Sequence, residues 1–243
     1  MLNINLKKFK SQYLRKKNQI LYISLKTDGK KEIENLIDNF LVDKNSFVFE
    51  SVEKGFIKGR YTIFGGNPDK IWEFNDSKCK LFFNNKTKIL NGNPKNNIEK
   101  IIENFNFEIP DELPPISSII SGYFSYDIIR YIEKIPNKTK NDLMIPDTRI
   151  LRPKNLIIHD NIEKKIFFIV NCFSDEKVKN FKKKYDQIKK RIEEMIFLAN
   201  YNKNKIISKN IKNNPKVKSN ITKKKFIENV VKAKNYIKIG DIF

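Results

Sequence analysis

Residues able to do chemistry are few in this chain and widely spaced. Its 243 residues hold one histidine, His159, and two cysteines, Cys79 and Cys172. The cysteines lie far apart in apolar, strand-like runs, and no Cys-x-x-Cys spacing exists. Two reduced, buried thiols in a cytoplasmic protein are therefore expected, not a zinc site or a redox pair. A single imidazole leaves metal centres and serine–histidine chemistry short of ligands and base. His159 precedes Asp160 at the end of Leu156-Ile157-Ile158. The pair could supply a general base, though a histidine so placed is more commonly a turn residue. Glu50 and Ser51 close the run Phe47-Val48-Phe49. A carboxylate beside a hydroxyl at a strand end can hold an ammonium group. The glycines that follow, Gly55 and Gly59, allow close approach to the backbone. A solvated hairpin end would carry the same residues. Asp127 and Arg130 stand at the spacing of an ion pair on one helix face.

The formal charge of +21 raises the question of an anionic partner. The positive charge is nearly all lysine, with arginine only at Arg15, Arg60, Arg130, Arg149, Arg152 and Arg191. Lysine travels with asparagine and isoleucine, as in Lys80-Leu81-Phe82-Phe83-Asn84-Asn85-Lys86, a pattern of codon bias. A dedicated nucleic-acid surface would lean on the planar fork of arginine, so no nucleic-acid partner is expected. A salt-sensitive nucleic-acid binder stays as an alternative. No apolar run approaches the roughly 20 residues that span a bilayer, and Met1 to Gln19 has no apolar core of a signal peptide. No membrane partner is expected.

The elements that must position these residues follow from periodicity. Ile20 to Leu25 reads as a strand, and Lys30 to Leu41 as a helix with Ile33, Leu36, Ile37 and Phe40 on one face. Short strands follow at Ser46 to Glu50, Arg60 to Phe64, Ile71 to Phe74 and Cys79 to Phe83, with Gly65-Gly66-Asn67-Pro68 closing the second. A helix is expected from Ile98 to Phe105. A strand at the heart of the core should run from Ile119 to Tyr126 into a short helix, Asp127 to Glu133. Asn155 to His159 and Lys165 to Asn171 should form a hairpin. A long helix should run from Asp175 to Ala199, with Ile188, Ile192 and Met195 on its apolar stripe. Residues 200–220 read as a polar linker, after which Thr222 can cap a last helix ended by Gly240. Strands without strict β–α–β alternation predict an α+β fold with a mixed or antiparallel sheet.

Four segments in this order resemble one family, the large subunit (component I) of anthranilate synthase. Phe47 to Gly65 matches its Glu-Ser-Val-Glu…Gly-Arg-Tyr pattern. Gly122 to Arg130 matches Gly-Tyr-x-x-Tyr-Asp-x-x-Arg, with Ser125 where the family usually has glycine. Pro146 to Asp160 matches a Pro-Asp turn and the strand after it. Ser219 to Phe243 matches Ser-Asn-x-Thr through Gly-Asp-Ile-Phe. The last segment is shared with aminodeoxychorismate synthase component I, and Glu50-Ser51 favours anthranilate synthase. The likeness runs from about Ile20 to Phe243.

The resemblance implies conversion of chorismate to anthranilate and pyruvate, with ammonia from a glutamine amidotransferase subunit (component II) and Mg²⁺ on the chorismate carboxylate. It implies half of a two-layer fold, with residues 1–19 as a basic N-terminal segment and 20–199 as a regulatory domain. A linker at 200–220 and the start of the chorismate-binding domain at 221–243 would follow. The chorismate-binding half, with the catalytic residues and metal ligands, is expected to lie outside this segment, so the segment binds no Mg²⁺ and is inactive alone. Tryptophan is the implied effector. Glu50 and Ser51 would contact it in a partial site, with Phe49 and Arg60 as nearby support. A stand-alone amino-acid-binding module is the alternative from another class.

Overall fold

A computed structural model describes residues 2–50, 59–76, 78–137, 143–202 and 218–243. The chain divides into two compact units, residues 1–203 and 204–243. Most of the expected linker, residues 203–217, lies outside the described residues.

The first unit is built on one eight-stranded sheet. Its strands are β1 (Gln19–Lys26), β2 (Phe47–Phe49), β3 (Tyr61–Asn75), β4 (Lys78–Phe83), β5 (Lys86–Leu90), β6 (Ser121–Phe124), β7 (Thr148–Asp160) and β8 (Lys165–Cys172). The order is β1-β8-β7-β3-β4-β5, with β2 added to β3 and β6 to β7. Every pairing is antiparallel. The helices are α1 (Leu6–Leu14), α2 (Lys30–Asn39), α3 (Pro94–Glu103) and α4 (Phe181–Asn200), with a 3-10 helix at Tyr126–Tyr131. The fold is α+β, as expected.

One long strand replaces two of the short ones. The run Gly65-Gly66-Asn67-Pro68 bends β3 instead of ending it. β3 pairs β7 from Tyr61–Asp160 to Gly66–Asn155, and again from Lys70–Arg152 to Phe74–Thr148, with an irregularity between Pro68 and Lys70. Pro68 faces Pro153 across this bend. Neither proline has an N–H to donate, so both missing donors fall where the ladder is already broken. Gly65 and Gly66 leave room there for the rings of Phe47 and Phe40.

Sidedness follows from the strand period of two. One face carries Leu21, Phe64, Ile157, Phe168 and Val170 against α1, α2 and α4, which contribute Phe9, Leu36, Ile188, Ile192 and Met195. The other face carries Ile20, Leu156, Ile158, Phe167 and Ile169 under an irregular segment holding Phe107, Ile109, Leu113 and Ile116. A third cluster, Trp72, Phe74, Cys79, Ile101 and Ile150, joins the β3–β4–β5 wing to α3. Both cysteines are free and buried. Burial pushes the Cys79 thiol up to about 11 and the Cys172 thiol up to about 12, so both stay protonated.

Other elements differ from expectation as well, among them β5, which had no counterpart, and β7, which begins at Thr148 ahead of the expected Asn155. The polar N-terminal segment contains α1, capped by the Asn5 side chain on the Lys8 amide and anchored by the fully buried Phe9. β6 is not central. It takes the side of β7 left free where β8 ends, and Gly122, Tyr123 and Phe124 stay exposed. α4 begins six residues later than its apolar stripe suggested. Asp175 and Glu176 are held in ion pairs beyond β8, and Asn180 caps the Lys183 amide instead.

The second unit carries α5 (Lys223–Ile239). Its ends match expectation: the Thr222 hydroxyl accepts from the Lys225 amide, and Gly240 closes the helix at φ 84°.

Candidate functional site

The Glu-Ser strand end lies at the β2–β3 hairpin. β2 pairs β3 with Phe49 opposite Ile63. Glu50 therefore leaves the sheet at the end where Arg60 enters it, and Glu50 is exposed. Ser51 lies outside the described residues. The Phe49 ring stands 48% exposed, its centroid 5.0 Å from that of Phe47. A large, half-exposed aromatic beside a carboxylate can meet a flat apolar group carrying a positive charge.

Arg60 does not point freely toward this end. Its Nη2 lies 2.7 Å from Asp160 Oδ2, its Nε donates to the same carboxylate, and its guanidinium sits 5.0 Å from the Tyr61 ring centroid. The hydrogen bond to Asp160 raises the Arg60 pKa further. Burial would raise the Asp160 carboxyl, but the Arg60 guanidinium and the amides of Glu163 and Ile162 outweigh it and hold the group below its usual range.

The β7–β8 turn also grips the backbone. The Asn161 N–H donates to the Arg60 carbonyl at 2.8 Å, and the Asn161 Nδ2 donates to the Gly59 carbonyl at 3.2 Å. The turn thus anchors the backbone at the start of β3. Sequence spacing missed this role because Asp160 and Arg60 are 100 residues apart. Beside the turn, a cleft of about 390 Å³ is lined by Arg60, Tyr61, Glu112, Asp160, Glu163 and Lys165. Both signs of charge face this cleft. The Tyr22 hydroxyl donates to Glu112 at 3.1 Å, and burial followed by that contact pushes its pKa up to about 12.

His159 is neither a turn residue nor a base at this site. It is buried within β7, with Nε2 3.3 Å from the Thr27 carbonyl oxygen and Gly29 packed on its ring. The Asp127–Arg130 pair forms as the spacing predicted, at 2.9 Å. Arg130 also donates to the carbonyls of Ile135 and Pro136, which fastens the chain beyond the 3-10 helix.

Among the described residues no group of three or more His, Cys, Asp or Glu side chains could hold a metal ion. No helix among them is long and apolar enough to cross a membrane.

The family described as chorismate binding enzyme matches residues 46–243. Anthranilate synthase component 1 of Cereibacter sphaeroides is 27% identical over 234 residues, covering 93% of this chain and 46% of that protein. Its counterpart from Acetivibrio thermocellus is 32% identical over 213 residues, covering 86% of this chain and 43% of that protein. The crystal structure of anthranilate synthase component I from Streptococcus pneumoniae shares the fold, with a TM-score of 0.53 at 18% identity over 84% of this chain and 42% of the other. The chain thus spans less than half the length of the relatives it matches. With the matched region running from Ser46, just ahead of β2, to the end of the second unit, the chain belongs to the chorismate binding enzyme family.

Proposed function

We propose that this chain is the N-terminal part of anthranilate synthase component I. The whole protein would make anthranilate and pyruvate from chorismate, with ammonia delivered from glutamine by a component II partner and with Mg²⁺ on the substrate. The observation that carries this reading is the match to proteins named anthranilate synthase component 1 over 86–93% of the chain. Residues 20–199 would form the regulatory domain, 200–220 a linker, and 221–243 the start of the chorismate-binding domain, in a cytoplasmic protein.

The regulatory role is assigned to the β2–β3 end. Glu50 and Ser51 would receive the ammonium of tryptophan, with Phe49 and Arg60 beside its ring and carboxylate. The half-exposed Phe49 ring and the cleft with both signs of charge beside Arg60 support a zwitterionic aromatic ligand. Tryptophan would act by preferring one arrangement of the whole protein over another.

The 243 residues alone should give no anthranilate when incubated with chorismate, Mg²⁺ and ammonia. Anthranilate fluorescence rising above a boiled control would overturn that. Calorimetry with tryptophan then separates two cases. Absent binding fits a half-site completed by residues beyond this chain. Tight binding abolished by Glu50→Ala fits a self-sufficient module.

A further inference from the structure

Far from the β2–β3 end, the β3–β4–β5 wing and α3 enclose a cleft of about 480 Å³. Its size falls in the range of small-molecule sites, roughly 300–1,000 Å³. The floor is Trp72, Leu81 and Leu90, three side chains from adjacent strands on one face, and Ile101 from α3 closes it. Phe105 and Phe173 flank one end.

The polar lining divides into groups already satisfied and groups still available. At the inner end, Arg152 donates to both oxygens of Asp69 and of Asp175, its guanidinium 3.7 Å from the Phe173 ring centroid, and Lys70 shares Asp175. This cluster is charge-balanced. On α3 the position is different. Asn97, Lys100 and Asn104 face the cleft at i, i+3 and i+7. Lys100 makes no ion pair among the described residues, although it stands over the apolar floor. The one carboxylate of the lining, Asp175, is held by two cations.

We propose that this cleft binds a small, flat, apolar molecule carrying a single negative charge. The body would lie on the half-buried Leu81 and Leu90, above the buried Trp72, where area burial favours it. The anionic group would meet Lys100 at the rim, with the second N–H of each of the Asn97 and Asn104 carboxamides as donors, the first being held by the Asn91 and Lys100 carbonyls. A cation of the same shape is disfavoured because, among the described residues, no free carboxylate faces the cleft. This site is separate from the β2–β3 end and does not depend on the function proposed for it.

Trp72 is the sole tryptophan of the chain, so the floor carries its own reporter. Incorporation of 5-fluorotryptophan into the full chain should give one ¹⁹F resonance from this position. Titration with 2-naphthoate is expected to shift it saturably, and neutral 2-naphthamide should bind at least tenfold more weakly. Lys100→Glu is expected to weaken 2-naphthoate tenfold or more while leaving the circular dichroism spectrum unchanged, since the residue is exposed on a helix. A resonance that does not move, a shift that never saturates, or equal affinity in Lys100→Glu would each overturn the proposal.

Discussion

Two carboxylates beyond β8, Asp175 and Glu176, gather cations that are distant in sequence. Glu176 Oε2 lies 2.6 Å from both Lys154 Nζ and Lys184 Nζ, its Oε1 accepts from the Phe173 amide, and the side chains are 15%, 16% and 21% exposed. Burial would raise the Glu176 carboxyl, and the two ammonium groups hold it below its usual range instead. Glu176→Gln removes the charge and leaves two lysines facing each other, at a cost of about 3 kcal/mol by the measure of broken buried pairs. Urea denaturation at neutral pH checks it. Arg152, 8% exposed, binds Asp69 and Asp175 through its fork. Arg152→Lys keeps the charge but loses the bidentate geometry and the stacking on Phe173. It should cost about 2 kcal/mol in the same assay, because an ammonium cannot serve both carboxylates at once. Asp160→Asn acts more locally. The amides of Ile162 and Glu163 and the Asn161 N–H that holds Arg60 are expected to exchange hydrogen faster.

At the level of single elements, the glycines show which contacts are rigid. A Cβ on Gly122 of β6 would strike the Arg149 carbonyl and the Ile150 backbone of β7. A Cβ on Gly65 of β3 would meet only the tip of the Phe47 ring. Backbone cannot yield without breaking the ladder, whereas a ring can rotate away. Gly122→Ala is therefore expected to lower the melting temperature more than Gly65→Ala, with a cost of about 2–3 kcal/mol against about 1. Equal losses would mean that β6 can slide on β7. The open edge of β1 has a local device of its own. Asn3 donates to the Ile20 carbonyl and accepts from the Tyr22 amide, each at 3.0 Å, as a neighbouring strand would.

Across the molecule, acid and exposed apolar surface set the limits. Asp160, Asp175 and Glu176 all have folded pKa values below their ordinary ones. A depressed carboxylate contributes stability that is complete above its unfolded value, about 3.9 for Asp and 4.3 for Glu, and is lost as pH falls through the folded value. The Asp175 share is reduced because that side chain is 45% exposed. Protonation also adds to a chain already at +21, which increases self-repulsion. The urea midpoint should be flat from about pH 6 to 8 and fall steeply below about pH 4. A midpoint unchanged at pH 3.5 would show that these ion pairs contribute nothing net. Around the 3-10 helix, Phe124 is 58% exposed, Tyr126 85% and Ile132 66%. Such a patch favours association. Light scattering is expected to show mass rising with concentration, and Tyr126→Ser with Ile132→Ser to suppress the rise.

Much of this was legible from local pattern. Ile33, Leu36 and Phe40 of the α2 stripe, the β7–β8 hairpin, both caps of α5 and the Asp127–Arg130 pair follow from spacings of two to four residues, which the backbone geometry of one element enforces, whereas Ile37 of the same expected stripe is 44% exposed. The family likeness was legible as well, because its motifs are short and contiguous. Where local signals met long-range packing, packing decided. Gly65-Gly66-Asn67-Pro68 reads as a turn, yet β7 lies along both halves of β3 and holds it as one bent strand. The apolar run at Ile119 to Tyr126 reads as core, yet β6 has a partner on one side only among the described residues. His159 reads as a turn residue, yet α2 closes over it at Gly29. Arg60 reads as part of a ligand site, and its tie to Asp160 across 100 residues appears only when the sheet is assembled. Periodicity reports which side of an element is apolar, whereas the neighbour on that side is set by chain segments far away. The sequence by itself therefore determined most of the elements, their apolar faces and the family, and only the tertiary structure decided α1, strand continuity, edge position and charge partners.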